Sequence, residues 1–415
     1  MAHPYRAASL FLLAFALRAG YSLHLQGNQW PPDAGSFDSI AWNLASQGQY
    51  ASTDHRPTSY RTPSYVVFLA AIYKLVGHSY TAARMVQAFL GAVLVFLLIA
   101  LTRQVTADPR APWIAGGIAA VYPFFIYYDG ELIADAFIVF WLVLSLGLFF
   151  YWREASASWV RTVVCGFSFS VLCLIKTVFI PFFATILVCE ALLSIRSRDR
   201  LQRAGRLFLM GLIFISPIFL WGLRNRRIFG RFLLDTHGGI TSVECIMFYA
   251  QCKQGIFPAF FRDHPLRQAT AGMNEVESDA FYLNQTKMFI RAHPGRYLRQ
   301  ALGNLKNFWR FYPRQDINFK ESRLKITIIS LLTEPFLIIT GLIGLFKTRH
   351  QWRILYPIYL LVLFLTGIHA LTTGQMRYRL PLMPYAIVFS ACALTRTGTV
   401  LPSRGGEQIA FRAIA

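Results

Sequence analysis

Charged residues are scarce in this sequence, and acidic ones most of all. Only 15% of its 415 residues are charged, whereas charged residues make up about a quarter of a typical soluble domain. Twenty residues are Asp or Glu against 41 Lys and Arg, which gives a formal net charge of +21. Hydrophobic residues make up 55% of the chain. This composition excludes an ordinary soluble domain and predicts an all-α polytopic membrane protein.

The excess of basic residues does not indicate nucleic acid. A soluble protein with this charge would be a candidate for nucleic-acid binding, but the sequence contains no nucleic-acid-binding motif. In a membrane protein, Lys and Arg keep the cytoplasmic loops inside and contact anionic headgroups. We therefore expect membrane lipids as partners and no nucleic acid.

The six cysteines lack the spacing of a metal site, since none lies in a C-x-x-C motif. Four of them lie in apolar segments, where Cys behaves as a small hydrophobic residue. Cys245 and Cys252 lie in a long hydrophilic loop. If that loop faces an oxidising compartment, these two residues could form a local disulfide.

Ten apolar segments predict membrane-spanning helices. They are approximately residues 7–25, 83–101, 112–128, 132–151, 160–176, 178–195, 206–223, 325–346, 353–372 and 380–395. An N-terminus in the cytoplasm puts the basic short loops inside, as the positive-inside rule requires. Two long loops, residues 26–82 and 224–324, then face outward. Residues 1–395 form one integral membrane domain, and residues 396–415 form a short basic cytoplasmic tail.

Both outer loops contain patterns typical of amphipathic helices. In the first loop, apolar residues at helical spacing predict helices over residues 37–44 and 64–76. In the second loop, residues 293–312 carry an apolar stripe, with basic residues largely off it. Two interpretations stay open for this last segment. It is either an interfacial helix with its apolar side toward the membrane, or a helix packed on the outer surface of the protein.

Two acidic residues follow the first predicted span directly, in PPDAGSFDSIAWNL (residues 31–44). Asp33 and Asp38 need no special role, because a carboxylate at a helix N-terminus is stabilising as a cap. A function for Asp33 therefore depends on what else lies on the outer face.

A second acidic stretch, YPFFIYYDGELIADAFIVF, lies at the turn between the third and fourth predicted spans. Asp129 and Glu131 are expected to be solvated turn residues. Asp135 lies inside an apolar run, where an ionisable group is costly unless it faces water, a cation or a substrate. Asp135 is therefore a candidate functional residue.

Several cations are predicted at the same outer face, each at the end of a span or in the first outer loop. They are Arg61, Lys176, Arg224, Arg377 and Arg379. Each alone could be a snorkelling side chain, but together they indicate an anion site, since Arg binds phosphate through a bidentate fork and Lys as a point charge. Beside carboxylates, such a site suits group transfer from a lipid phosphate, in which the acid takes a proton and the cations neutralise the departing phosphate.

Six segments carry a resemblance to a known family, in their order along residues 10 to about 390. They are PDAGSFDSIAWNLASQGQY, YRTPSYVVFLAAIYKLVGHSYTAARMVQAFLGA, YPFFIYYDGELIADAF, LIKTVFI, LRNRRIFGRFLLDTHGG and RYRLPLMP. None is specific alone, but the ordered set resembles the bacterial lipid-linked-sugar glycosyltransferases of the GT-C superfamily. That group includes the protein O-mannosyltransferase-like enzymes and the aminoarabinose transferase.

The resemblance implies a GT-C-type bundle of about 10 (10–12) transmembrane helices, with amphipathic helices in the two outer loops. It implies a hexosyl- or pentosyltransferase that inverts the sugar as it moves from a polyprenyl-phosphate donor to an acceptor hydroxyl. The acceptor would be a glycan, lipid or protein, and the reaction would lie on the outer face of the bacterial cytoplasmic (inner) membrane. No cofactor is certain. A divalent cation could assist, although Ala34 after Asp33 does not support the paired-acid metal site of some members.

The resemblance also assigns roles to individual residues. Asp33 matches the first-loop catalytic acid and would act as general base, while Asp135 matches the second acid and would orient the acceptor or share that role. The cations that match phosphate-binding positions are Arg61, Lys176, Arg224 and Arg379. His237 accompanies the Gly-Gly pair and would contact sugar, unless it is a structural loop residue.

Two other function classes stay open at this point. A transporter or lipid flippase often shows internal repeats, and this sequence shows none. A polysaccharide polymerase or ligase that uses the same lipid carrier tends to concentrate its site in one late outer loop, and residues 224–324 keep that hypothesis open. Dependence of function on Asp33 would favour the glycosyltransferase.

Overall fold

The computed structural model describes residues 4–25, 33–154, 158–195, 199–253, 257–313 and 323–395. Nearly all of these residues are helical, and their one extended pairing is an isolated bridge between Ala51 and Pro57. The predicted all-α polytopic fold is confirmed. The predicted cytoplasmic tail, residues 396–415, lies outside the described residues.

Nineteen α-helices follow one another along the described residues. They are α1 Pro4–His24, α2 Ala34–Gln47, α3 Pro63–Val76, α4 Tyr80–Val105, α5 Ala111–Val121, α6 Pro123–Gly130, α7 Ala134–Glu154, α8 Trp159–Cys173, α9 Phe179–Ser194, α10 Arg200–Phe229, α11 Gly238–Ser242, α12 Tyr249–Lys253, α13 Phe257–Arg262, α14 Pro265–Gln268, α15 Glu275–Ala292, α16 Pro294–Phe308, α17 Arg323–Lys347, α18 Trp352–Leu371 and α19 Met383–Leu394. A π-helical turn covers Val243–Met247, and 3₁₀ turns cover Arg349–Gln351 and Met376–Leu382.

The ten predicted spans are all helical in the structure, but fewer than ten are long enough to cross a membrane. Six helices in the described residues meet that test, α1, α4, α7, α10, α17 and α18, and a seventh does if the bent pair α5 and α6 counts as one span. The bend of 48° falls at Pro123, whose ring cannot continue a straight helix. The remaining predicted spans are short, with 15 residues in α8, 16 in α9 and 12 in α19. The chain is a multi-pass membrane protein.

Burial separates the central helices from the outer ones. In both α4 and α7, 67% of the apolar window is buried within the protein, against 17% in α1 and 28% in α10 and α17. Helix α4 packs against α1, α5 and α7. The exposed flanks of α10 and α17 are rich in Leu, Ile and Phe, which suits contact with lipid. The bundle therefore has a protein-filled centre beneath the outer ends of α4 and α7.

The two long loops predicted from the sequence contact each other. Helices α2 and α3 confirm the helices predicted in the first loop, and they pack together through the rings of Phe37 and Tyr65 at 5.1 Å. The Glu275 carboxylate at the start of α15 accepts hydrogen bonds from the Ser59 backbone N–H at 2.6 Å and the Thr58 hydroxyl at 2.7 Å. This contact fixes the second loop to the chain just before Arg61.

Helix α16 combines the two interpretations of the second-loop amphipathic segment. Its buried amides Gln300 and Asn304 face the protein, and the Asn304 amide donates to backbone carbonyls at the end of α18. Phe308 of the apolar stripe is buried, but Leu298 and Leu302 are 63% and 61% exposed. The helix therefore docks on the protein largely through polar side chains and leaves part of its apolar stripe uncovered.

Within the described residues, the predicted disulfide between Cys245 and Cys252 does not form. The two residues lie in consecutive helical segments, the π-helical turn and α12. Seven residues of helix span about 10 Å at about 1.5 Å per residue. A disulfide needs Cα atoms about 4.4–6.8 Å apart, so the helical backbone prevents the bond.

The expectation that Asp129 and Glu131 are solvated is wrong. Asp129 is 5% exposed and Glu131 is 1% exposed. Asp129 pairs with Arg18 of α1, whose Nε lies 2.6 Å from the carboxylate. Because the bend between α5 and α6 turns α6 back into the bundle, the turn acids point into protein rather than into water.

Candidate active site

Asp33 lies at the first turn of α2 but does not cap that helix. Its backbone is already helical, with φ −72° and ψ −30°, and its side chain makes no capping hydrogen bond. Capping by a side chain normally requires an extended backbone. Instead, the carboxylate accepts from Arg61 Nη2 at 2.8 Å and from Arg377 Nη1 at 3.0 Å. The carboxylate is therefore engaged with cations rather than with the helix terminus.

Arg377 joins the two predicted acids. Its Nε and Nη2 donate to the two oxygens of Asp135 at 3.0 and 2.7 Å, while Nη1 reaches Asp33. The contact with Asp135 is a bidentate fork, the strongest arrangement for an Arg–carboxylate pair. We call the group Asp33, Arg61, Asp135 and Arg377 the arginine–carboxylate cluster. It brings α2, the start of α7 and the 3₁₀ turn before α19 to one point.

Arg61 is held in place from three sides. Its Nε donates to the Ser36 hydroxyl at 2.9 Å, and that hydroxyl donates in turn to the backbone carbonyl of Asp33 at 2.8 Å. The guanidinium lies over the rings of Phe37 at 4.5 Å and Tyr60 at 5.0 Å, a cation–π arrangement. The SYRTPSY segment thus aims Arg61 at Asp33 with little freedom to move.

The electrostatics of Asp33 are dominated by these two arginines. Burial on its own would raise the pKa of the Asp33 carboxyl, but the Arg377 and Arg61 guanidiniums outweigh burial and hold the pKa well below its usual range. Asp33 is therefore ionised at neutral pH, with each oxygen already bound to a cation.

Lys176 and His237 lie beside the cluster. The Lys176 ammonium is 4.6 Å from the centre of the Tyr378 ring, and it forms no ion pair within the residues that the structure describes. The His237 ring packs edge-on against Tyr60 at 4.7 Å. Burial and the positive charge of Arg61 lower the pKa of His237 to about 4, so its imidazole is neutral at pH 7 and able to exchange hydrogen bonds with a neutral ligand.

Two of the cations expected at the phosphate are placed elsewhere. Arg224 donates to the backbone carbonyls of Thr58 at 2.8 Å and Tyr50 at 3.1 Å, which fastens the first outer loop to α10. Arg379 is 1% exposed and pairs with Glu334 of α17. The structure brings neither guanidinium to Asp33.

Two site residues, Asp235 and Glu244, were not selected from the sequence. Arg377 was predicted among the cations of the anion site, but the phosphate-binding role was assigned to Arg379. The two arginines lie in a 3₁₀ turn, where residues i and i+2 point about 240° apart, so only one of them faces Asp33. Asp235 accepts from the Thr177 hydroxyl at 2.9 Å beside Lys176. Glu244 lies in the π-helical turn, and burial followed by the charge of Asp33 raises its pKa. A π-turn often marks a functional site, but no sequence signal predicted it.

The cluster does not suit a divalent cation. Within the described residues, no three His, Cys, Asp or Glu side chains are grouped so as to hold a metal ion. The Asp33 and Asp135 carboxylates are already bound by Arg377 and Arg61, and Lys176 adds another positive charge nearby. Metal ions of this kind prefer clusters of unpaired oxygen ligands, so we derive no metal-dependent step.

Comparison with known proteins places this geometry in a family context. Residues 60–221, which carry Arg61, Asp135 and Lys176, match the family model described as dolichyl-phosphate-mannose-protein mannosyltransferase. The archaeal oligosaccharyltransferase AglB from Archaeoglobus fulgidus, solved with an inhibitory peptide and a dolichol-phosphate, superposes with a TM-score of 0.58 at 17% identity. The match covers 94% of this chain. The superposition shows that this chain and AglB share a fold. The resemblance noted from its ordered motifs is confirmed.

This chain spans only half the length of AglB, 50% by the superposed residues. A second structure of the Archaeoglobus fulgidus oligosaccharyltransferase, in complex with Zn and sulfate, has a TM-score of 0.56 at 16% identity. The match covers 94% of this chain and 48% of that structure's chain. ArnT from Cupriavidus metallidurans bound to undecaprenyl phosphate has a TM-score of 0.43 at 14% identity, over 95% of this chain and 78% of ArnT. That score is too low to support a common fold by itself. No curated protein sequence matches the chain.

Proposed function

We propose that this protein transfers a sugar from a polyprenyl-phosphate donor to an acceptor hydroxyl, with inversion, at the outer face of the bacterial cytoplasmic membrane. The observation that carries the proposal is the arginine–carboxylate cluster, which joins an ionised Asp33 to two fixed guanidiniums where the helices leave the membrane. The match of residues 60–221 to a mannosyltransferase family model supports transferase chemistry. The dolichol-phosphate in the AglB structure supports a lipid-phosphate donor.

The cluster supplies a proton acceptor and a phosphate site at one point. Asp33 takes the proton of the acceptor hydroxyl as its oxygen attacks the anomeric carbon of the sugar. The bond between that carbon and the phosphate oxygen breaks, and its electron pair leaves with the polyprenyl phosphate. Arg61, Arg377 and Lys176 neutralise the charge that develops on the leaving phosphate. Attack from the side opposite the phosphate inverts the anomeric centre.

Asp135 acts in this scheme as a positioning residue. Both of its oxygens accept from Arg377, so its role is to fix the orientation of that guanidinium rather than to take the acceptor proton. The neutral imidazole of His237 is placed to contact sugar hydroxyls. The acceptor is a glycan, lipid or protein on the same face of the membrane. In this topology the N-terminus of the protein lies in the cytoplasm.

The test is sugar transfer by the purified protein in lipid nanodiscs, with a panel of polyprenyl-phosphate sugars. Asp33→Asn should reduce turnover of the preferred donor about 10²- to 10⁴-fold, the usual contribution of a general base. The matched control is Asp38→Asn on the same helix, because the Asp38 carboxylate accepts from Tyr73 and contacts His78 at 2.8 Å and lies outside the cluster. Equal loss in both variants would show a folding effect.

Two outcomes would count against the proposal. Turnover that persists in Asp33→Asn would move the base to another carboxylate. Absence of sugar transfer from every donor, in protein that still moves lipid across the bilayer, would favour the transporter.

A further inference from the structure

The two arginines of the cluster form an anion site that a residue of the same chain fills. Arg61 and Arg377 donate to different oxygens of Asp33 at 2.8 and 3.0 Å. Two guanidiniums converging on one anion are the arrangement with which proteins bind phosphate. Here, the proposed base itself occupies that position.

We propose that the Asp33 carboxylate stands in for the donor phosphate, so that a lipid phosphate must displace Asp33 from Arg61 and Arg377 before Asp33 can act as base. This inference rests on the proposed function for its catalytic consequence. The competition between carboxylate and phosphate is a binding property, however, and can be measured without turnover.

The guanidiniums are fixed, whereas the carboxylate can leave. Arg377 is anchored by the bidentate contact with Asp135, and Arg61 is anchored by Ser36 and by the ring of Phe37. The side chain of Asp33 is 32% exposed, more than those of Arg61, Arg377 and Asp135, at 11%, 21% and 10%. Release of Asp33 therefore requires only a side-chain rotation toward solvent, and the anion site stays intact for the phosphate.

The exchange conserves charge. A phosphodiester carries one negative charge, as the ionised Asp33 carboxylate does, so the two arginines stay neutralised when one replaces the other. The displaced carboxylate loses both cationic partners, and its pKa returns toward the ordinary value of about 3.9. Loss of those partners makes it a stronger base. The site is then ordered, since the donor binds first and activates the base for the acceptor.

The order of binding prevents a wasteful reaction. Before the donor arrives, both Asp33 oxygens are engaged, so an acceptor hydroxyl or a water molecule finds no free base. After the donor binds, the base is exposed beside the sugar. Initial-rate kinetics should therefore show the acceptor binding productively only to the donor complex.

The experiment measures phosphate binding to the full chain in nanodiscs by isothermal titration calorimetry, with the methyl ester of a short-chain polyprenyl phosphate, a phosphodiester like the donor. Asp33→Asn should bind this ligand about tenfold or more tightly than the unmodified protein, because the competing charge is gone. Arg377→Lys should bind it about tenfold more weakly. Asp38→Asn is the control and should match the unmodified protein. Asp33→Ala repeats the measurement with no side-chain amide left to compete.

Each result separates the alternatives. Equal or weaker binding in folded Asp33→Asn and Asp33→Ala would overturn the inference, because it would show that the carboxylate does not compete for the anion site. Inorganic phosphate, titrated in parallel, distinguishes the ligand source, since a comparable gain for both ligands would assign the site to free phosphate rather than to a lipid. Tighter lipid-phosphate binding without sugar transfer from any donor would leave this inference standing and overturn the proposed function alone.

Discussion

Two kinds of charge cluster lie in this protein, and they differ in what satisfies the arginine. Inside the bundle, Arg18 pairs with Asp129 and donates three further N–H groups to the backbone carbonyls of Ala14, Ala119 and Ala120. In the arginine–carboxylate cluster, Arg377 donates to two carboxylates and is 21% exposed in its side chain. The first arrangement is closed by the fold. The second depends on a side chain that can be exchanged for a ligand.

The Arg379–Glu334 pair belongs to the closed kind. Both side chains are 1% exposed, and Arg379 also donates to the carbonyls of Phe308 and Arg310 at 2.8 and 2.9 Å. It therefore ties α16 and the 3₁₀ turn to α17. An arginine in an apolar segment is therefore not by itself a sign of a binding site, because a buried carboxylate and backbone carbonyls can bind most of its N–H groups and give it a structural role.

We expect the largest effect from a variant that breaks the buried Arg379–Glu334 pair. Arg379→Met leaves the Glu334 carboxylate buried without its cation, which typically costs about 3–5 kcal/mol of stability. We expect a large fall in the unfolding midpoint in nanodiscs, measured by thermal denaturation. The double variant Arg379→Met with Glu334→Leu should recover most of the loss. A well-folded but inactive Arg379→Met would instead place this arginine at the substrate.

We expect the next largest effect from a variant that removes hydrogen bonds within the arginine–carboxylate cluster. Arg377→Lys keeps the charge but cannot make the fork to Asp135 and reach Asp33 together. The loss of a charge-assisted hydrogen bond is worth about 1.5–3 kcal/mol, or roughly ten- to a hundredfold in rate. We expect kcat/KM for the donor to fall by that factor with little change in the unfolding midpoint. The exposed Arg296→Lys on α16 is the control, and an equal loss in both variants would argue against a special role for Arg377.

We expect a smaller effect from a variant that weakens the contact between the two long loops. Glu275→Gln weakens the contacts with Ser59 and Thr58, at about 1–2 kcal/mol for a charge-assisted pair of hydrogen bonds. We expect transfer to fall several-fold and the second outer loop to be cut faster in limited proteolysis. Asp263→Asn, an exposed change in the same loop, should leave both readouts unaltered. Unchanged proteolysis in Glu275→Gln would show that this contact does not hold the two loops together.

The smallest effect concerns pH. The pKa of His237 is about 4 in the folded protein and about 6.5 when unfolded, so the unfolded chain binds more protons between these values. Stability therefore falls as the pH drops from about 6.5 to about 4. His237→Asn should reduce that decline, as measured by the unfolding midpoint across this pH range. An identical pH profile in the variant would show that His237 does not contribute to it.

Part of the site could be predicted from the sequence because its signals are local. Asp135 lies within an apolar run, so its depth marks it without knowledge of its neighbours. Asp33 follows an apolar run, and the cations predicted at the same face made it a candidate. The segment holding Arg61 stands out in the same way. The choice between neighbouring cations depended on the direction of their side chains rather than on their position in the sequence. The sequence places Arg377 and Arg379 at the same depth, and only the pitch of a 3₁₀ turn decides which one reaches Asp33.

The amphipathic pattern of α16 was visible in the sequence, but the face that docks was not. Its stripe of apolar residues favoured an apolar contact, whereas Asn304 finds backbone carbonyls of α18 and buries the polar side instead. Asp129 shows the same limit. A turn between two spans normally faces water, and the bend at Pro123 reverses that expectation by turning α6 inward.

The sequence by itself determined that the chain is an all-α membrane protein and where its helices lie, because hydrophobic length and charge are properties of a segment alone. It also marked Asp33 and Asp135 as candidate site residues. The tertiary structure decided which cation joins those acids. Arg377 is 242 residues from Asp135 and 344 from Asp33 along the chain. Contacts of that separation depend on how helices pack and rotate, and no local pattern encodes the rotation of one helix relative to another.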